Sequence, residues 1–99
     1  MAKLILKYDA KVLKEIPIQK SALTIGRLPG NDVVIDNLAV SSQHARLYLD
    51  GDRFVLEDRD SLNGTFVNNQ RIRKTVLRPG DAILIGKHTL IFEEVGGPL

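Results

Sequence analysis

The chain has 99 residues, enough for one domain and close to the least that a two-layer β structure requires. Its 43% hydrophobic and 26% charged residues exclude a disordered chain, and the lack of cysteine excludes disulfides and cysteine-based zinc sites. With 14 basic and 12 acidic side chains the formal net charge is only +2, so any functional positive charge must be local.

Taken in chain order, the periodicity is that of strands. Leu4, Leu6 and Tyr8 alternate with Ile5 and Lys7, and β-type runs follow at residues 12–18, 22–27 and 33–35. Ala45, Leu47 and Leu49 alternate with Arg46, Tyr48 and Asp50. Asp50-Gly51-Asp52 then separates this run from the next, 53–58, closely enough to predict a hairpin. Two further runs, 82–85 and 89–95, close the pattern. Turn formers stand between the runs at Pro29-Gly30-Asn31-Asp32, Asn63-Gly64, Asn68-Asn69 and Pro79-Gly80-Asp81. No window keeps the spacing of a long helix. The expectation is an all-β sandwich or barrel of about ten or eleven short strands. Residues 1–95 are expected to form the domain, with 96–99, Gly96-Gly97-Pro98-Leu99, as a tail or linker stub. No apolar run approaches the ~20 residues of a membrane helix. The start Met1-Ala2-Lys3 does not open a signal-peptide pattern, so a reducing, cytoplasmic setting without a membrane partner is expected.

Three clusters of small polar residues interrupt the strands at their ends. They are Gly26-Arg27, then Val40-Ser41-Ser42-Gln43-His44-Ala45, then the stretch from Asp60 to Asn68 containing Asn63-Gly64-Thr65. In an antiparallel sandwich such ends converge. In their order and spacing, Gly-Arg, Ser-x-x-His and Asn-Gly-Thr with a following Val-Asn resemble the forkhead-associated (FHA) domain family, over residues 4–92. The resemblance implies a β-sandwich of about eleven short, mostly antiparallel strands that binds phosphothreonine peptides through loops at one end. It implies a protein-interaction adaptor downstream of a Ser/Thr protein kinase, with no cofactor, no small-molecule substrate and no nucleic acid.

The resemblance assigns roles that suit the residue types. Phosphothreonine carries about −1.5 to −2 charges, and an arginine fork can meet it with two hydrogen bonds where lysine cannot. Arg27 is placed in that role, Ser41 as a hydroxyl donor, and Ser42 as a hydroxyl or backbone contact. Asn63 is expected to hold the peptide backbone beside the phosphorylated residue. Gly26, His44, Gly64, Thr65 and Asn68 are expected to support the binding loops, His44 from beneath and Thr65 and Asn68 by fixing the loop after Gly64. Leu62 departs from relatives that often carry Thr there, so one phosphate contact is missing or supplied by backbone. Leu38 and Ala39, uncharged where some relatives are basic, suggest an apolar preference a few residues past the phosphothreonine.

Competing readings have less behind them. Ser41 or Ser42 with His44 could suggest a hydrolase, but no nucleophile elbow or oxyanion hole is visible and no catalytic residue is expected. His44 and His88, far apart and without cysteine, make no metal site, and His88 is expected to face solvent. Arg71, Arg73 and Lys74, with Arg78 beyond, read as solvated edge or loop surface. Phe54, Phe66 and Phe92 read as core. A phosphate-independent interaction module is the main alternative function.

Overall fold

The computed structural model describes residues 2–94, and its described residues form eleven strands in two sheets with no helix. The six-stranded sheet has β1 (Ala2–Tyr8), flanked by β2 (Lys11–Pro17) and β11 (His88–Glu94). Beyond β11 it continues through β10 (Ala82–Ile85) and β7 (Thr65–Val67) to β8 (Gln70–Ile72). The five-stranded sheet runs β4 (Val33–Val34), β3 (Ala22–Gly26), β5 (Ala45–Asp50), β6 (Arg53–Asp58) and β9 (Lys74–Val76). All pairings are antiparallel except β3 with β4. This is the expected all-β sandwich.

The alternation read in the sequence explains the layers. Leu4 and Leu6 of β1, Leu90 and Phe92 of β11, and Ile83 and Ile85 of β10 face inward from one sheet. Leu23 and Ile25 of β3 and Leu47 of β5 face them from the other. Phe54 packs edge-on against Phe92 with ring centroids 5.6 Å apart. Each fully buried aliphatic or aromatic side chain stabilises by about 1.5–3 kcal/mol, and this core fixes where the strand ends lie. The β2 edge is exposed except at Ile16, which packs partly covered against the core, and the register shift at Leu6/Lys7 together with Lys11 and Lys14 discourages further strand pairing there.

Three strands, β7 to β9, occupy residues 65–76, where no run was anticipated. At three residues each they are too short to show an alternation. Asn68 and Asn69, both at positive φ (50° and 70°), form the two-residue turn between β7 and β8, as the dipeptide suggested. Phe66 corrects the core expectation: it sits on the outer face of β7 beside Leu84 and is only partly covered. His88 is half-buried, its ring 5.0 Å from that of Tyr8, rather than facing solvent. The tail at 96–99, and the last residue of the run ending at 95, lie outside the described residues.

The topology sets up the site. The loops after β3, β4 and β6 leave one end of the sandwich, and the β6–β7 loop crosses from the five-stranded sheet to the six-stranded one. Residues 51–52 and 68–69 turn at the opposite end.

Candidate functional site

The site begins where β3 stops. Gly26 is in close backbone contact with the β4–β5 loop: a Cβ there would collide with the Ser42 carbonyl oxygen and lie 2.6 Å from Asn31 Nδ2. Only glycine allows the approach. The Asn31 amide seals it by donating to Leu28 O (2.9 Å) and Ser42 O (2.8 Å). Asp32 fixes the far side of the same turn, accepting from the Thr24 N–H and from Lys20. Asn31 and Asp32 are thus conformational, as expected.

Arg27 follows directly. Its N–H donates to Ser41 O (3.0 Å), its Nε to Val40 O (3.2 Å), and one terminal nitrogen lies 3.5 Å from Ser42 Oγ. The half-buried guanidinium is therefore laid over the serine loop with donors to spare, and no carboxylate among the described residues pairs with it.

His44 joins this loop to the next. It is completely buried, and its Nδ1 accepts the Ser41 N–H at 3.0 Å while Nε2 lies 2.9 Å from Gly64 O. A backbone N–H can only donate, so Nδ1 is unprotonated and the proton sits on Nε2, donated to the Gly64 carbonyl. Both ring nitrogens are spent on backbone, which leaves no lone pair to activate Ser41 or Ser42. His44 thus joins the serine loop to the loop before β7 through both ring nitrogens.

The β6–β7 loop completes the cluster. Ser41 Oγ accepts the Leu62 N–H (3.0 Å), so the serine's own hydrogen is free to donate outward. Asn63 donates one amide hydrogen to Ala39 O (2.9 Å), leaving its carbonyl and second hydrogen to the exposed side. Gly64 has φ 91°, a conformation that disfavours any side chain. Leu38 and Leu62 are 93% and 87% exposed on the rim.

Sequence reading missed the acceptor beneath this loop. Asp58 takes the Ser61 N–H (3.2 Å) and the hydroxyls of Ser61 and Thr65 (2.5 and 2.6 Å), and Ser61 Oγ in turn accepts the Gly64 N–H. A lone carboxylate at a strand end carries no pattern that marks it. Burial opposes ionisation of Asp58, but the two hydroxyls and the N–H outweigh it and hold its carboxyl below the ordinary 3.8. Thr65, fully buried, is part of this support.

Asn68 is not. It lies beyond the other end of β7, roughly 10 Å along the strand, bonded to Asp81 (2.9 Å) and the Ala82 N–H (3.0 Å). It fixes the 78–82 turn instead. The structure thus brings Arg27, Ser41, Ser42 and Asn63 together over Gly26, His44, Gly64 and Thr65. A guanidinium fork, a hydroxyl and an amide around one spot form a donor set for a tetrahedral dianion on an extended chain.

Comparison with known proteins decides the family, since the FHA domain model matches residues 23–86. This chain is an FHA domain. It is 35% identical over 92% of its length to the glycogen accumulation regulator GarA of Mycolicibacterium smegmatis, and it spans 58% of that protein. Among solved structures, Mycobacterium tuberculosis EmbR in complex with a low affinity phosphopeptide superposes with TM-score 0.85 and 36% identity, covering 98% of this chain and 26% of EmbR. An FHA domain solved in a study of phosphothreonine-dependent FHA interactions superposes with TM-score 0.84 and 28% identity, covering 98% and 99%.

Two predictions follow from the packing. Gly26→Ala lowers stability by about 3 kcal/mol in urea denaturation, whereas Gly30→Ala, whose Cβ meets nothing within 4 Å, changes it by less than about 0.5 kcal/mol. Because the Asp58 carboxyl is depressed in the folded state, its contribution is full above the unfolded value and is lost as pH falls below about 4. Asp32, held down chiefly by Lys20, acts in the same window. Asp58→Asn therefore flattens part of the acid limb of a stability–pH curve, and an unchanged limb contradicts the assignment.

Proposed function

We propose that this FHA domain binds phosphothreonine in partner proteins, as a non-catalytic adaptor in Ser/Thr kinase signalling inside the cytoplasm. The single observation that supports it most is the Arg27 guanidinium, half-buried over the serine loop and without a carboxylate partner among the described residues. In this reading Arg27 and the Ser41 hydroxyl take the phosphate, Ser42 adds a hydroxyl contact, and the free side of Asn63 takes the peptide backbone. The Leu62 side chain adds no polar contact, but its N–H keeps Ser41 oriented. Hydrogen bonds to a charged group contribute about 1.5–3 kcal/mol each, so two or three, less ordering costs, lead to affinities near micromolar. The regulator GarA and the phosphopeptide-bound EmbR lend support from relatives.

Fluorescence anisotropy with a phosphothreonine peptide library, and phosphoserine and unmodified controls, tests the reading. Binding near micromolar is expected for phosphothreonine only, weakened at least tenfold by Arg27→Ala. Partner binding that survives both Arg27→Ala and dephosphorylation would instead establish a phosphate-independent module.

A further inference from the structure

Asn63 is the one asparagine in the chain that is followed by glycine. A following residue without a Cβ leaves its backbone nitrogen open to close approach, so that nitrogen can attack the asparagine side chain. In that reaction Gly64 N bonds to Asn63 Cγ, closing a succinimide ring, and the Cγ–Nδ2 bond breaks. The Gly64 proton passes to water or hydroxide, and Nδ2 takes up a proton and departs as ammonia. Water then adds to one of the two ring carbonyls. Opening at the Cγ–N bond leaves aspartate at position 63. Opening at the backbone C–N bond leaves isoaspartate, with the chain routed through Cβ.

The folded loop opposes each part of this step. Gly64 is buried, and its N–H, which must be lost, donates to Ser61 Oγ at 3.0 Å. Ser61 is itself fixed, because its hydroxyl donates to Asp58. The departing amide is tied to another loop, Asn63 Nδ2 donating to Ala39 O at 2.9 Å. Arg71 covers the glycine from outside, its Nε 2.8 Å from where a Cβ on Gly64 would be. Asn63 itself is exposed, so local opening of the loop is all that separates it from reaction.

We propose that Asn63 is a site of spontaneous deamidation, that the Ser61 hydroxyl holds it in check, and that conversion irreversibly ends phosphate binding. The last clause rests on the phosphothreonine reading above. A carboxylate at position 63 withdraws the amide hydrogens and sets a negative charge beside the phosphate dianion. Isoaspartate also lengthens the loop backbone by a methylene.

The test incubates wild type at mildly alkaline pH, folded and in urea, beside folded Ser61→Ala, and follows residue 63 by peptide mass mapping. Conversion is expected to be slowest in folded wild type and fastest in urea. Ser61→Ala converts about two- to tenfold faster than folded wild type, the factor of one net hydrogen bond. Amide hydrogen exchange reads the same guard without a variant: the Gly64 N–H exchanges at least tenfold more slowly than that of exposed Gly51. Equal conversion in folded and unfolded wild type overturns the proposal. So does a Gly64 amide as open as Gly51, or a Ser61→Ala that keeps its denaturation transition and converts no faster. Where Ser61→Ala does not fold, the exchange rate decides. Converted protein and Asn63→Asp are expected to bind a phosphothreonine peptide at least tenfold more weakly than fresh wild type. Undiminished binding overturns the link to phosphate. Failure of fresh wild type to bind any phosphothreonine peptide removes the functional reading and that link, and leaves the deamidation result to stand on its own.

Discussion

The site depends on one buried imidazole. His44 stands immediately before β5 of the five-stranded sheet, and its ring reaches the carbonyl of Gly64, immediately before β7 of the six-stranded sheet. The same ring takes the Ser41 N–H, so a single side chain ties two loops and both sheets at one end of the sandwich. A buried donor or acceptor left unpaired costs about 1–3 kcal/mol, and removing this ring orphans one of each. The tautomer is dictated by the backbone, which makes His44 a brace with no proton to exchange with a neighbouring serine.

Two further clamps build on that bridge. Gly26 and Asn31 press the β3–β4 turn against Ser42, which lays Arg27 across the serine loop. Asp58 gathers Ser61 and Thr65, which holds the loop that presents Leu62 and Asn63. Each outward-facing donor is thus oriented by an inward-facing hydrogen bond, so little ordering remains to be done when an anion arrives, and the affinity lost to ordering is correspondingly small. The apolar core contributes the distance between the sheets; the polar clamps contribute the arrangement at the loop end.

Much of this was legible in the residues. Leu4, Leu6, Leu47 and Leu90 announce strands because their alternation spans several residues, and Asn68-Asn69 announces a tight turn because Asn tolerates positive φ. Gly26-Arg27, Ser41 to His44 and Asn63-Gly64 are legible as an ordered set, although their convergence depends on two loops of one sheet meeting a crossover from it. What stayed hidden has a physical reason in each case. The strands β7 to β9 are too short for a period to appear. Phe66 is apolar on the outer face, where type alone suggests the core, and Asn68 is adjacent to the site in sequence but a strand length away in space. Asp58 looks like any strand-end carboxylate until Thr65 is folded onto it. Arg71 gains its position only through the β7–β8 register, which brings it beside a glycine seven positions earlier in the chain.

The central claim is that three loops at one end form a single preformed phosphothreonine site. The most direct measurement is a titration of the ¹⁵N-labelled domain with a phosphothreonine peptide, followed by amide NMR. The account predicts that the amides of Arg27, Ser41, Leu62 and Asn63 shift together along one binding curve, while Gly51 and Asn69 at the opposite end stay still. Shifts confined to one loop, or centred on the opposite end or a sheet face, contradict it.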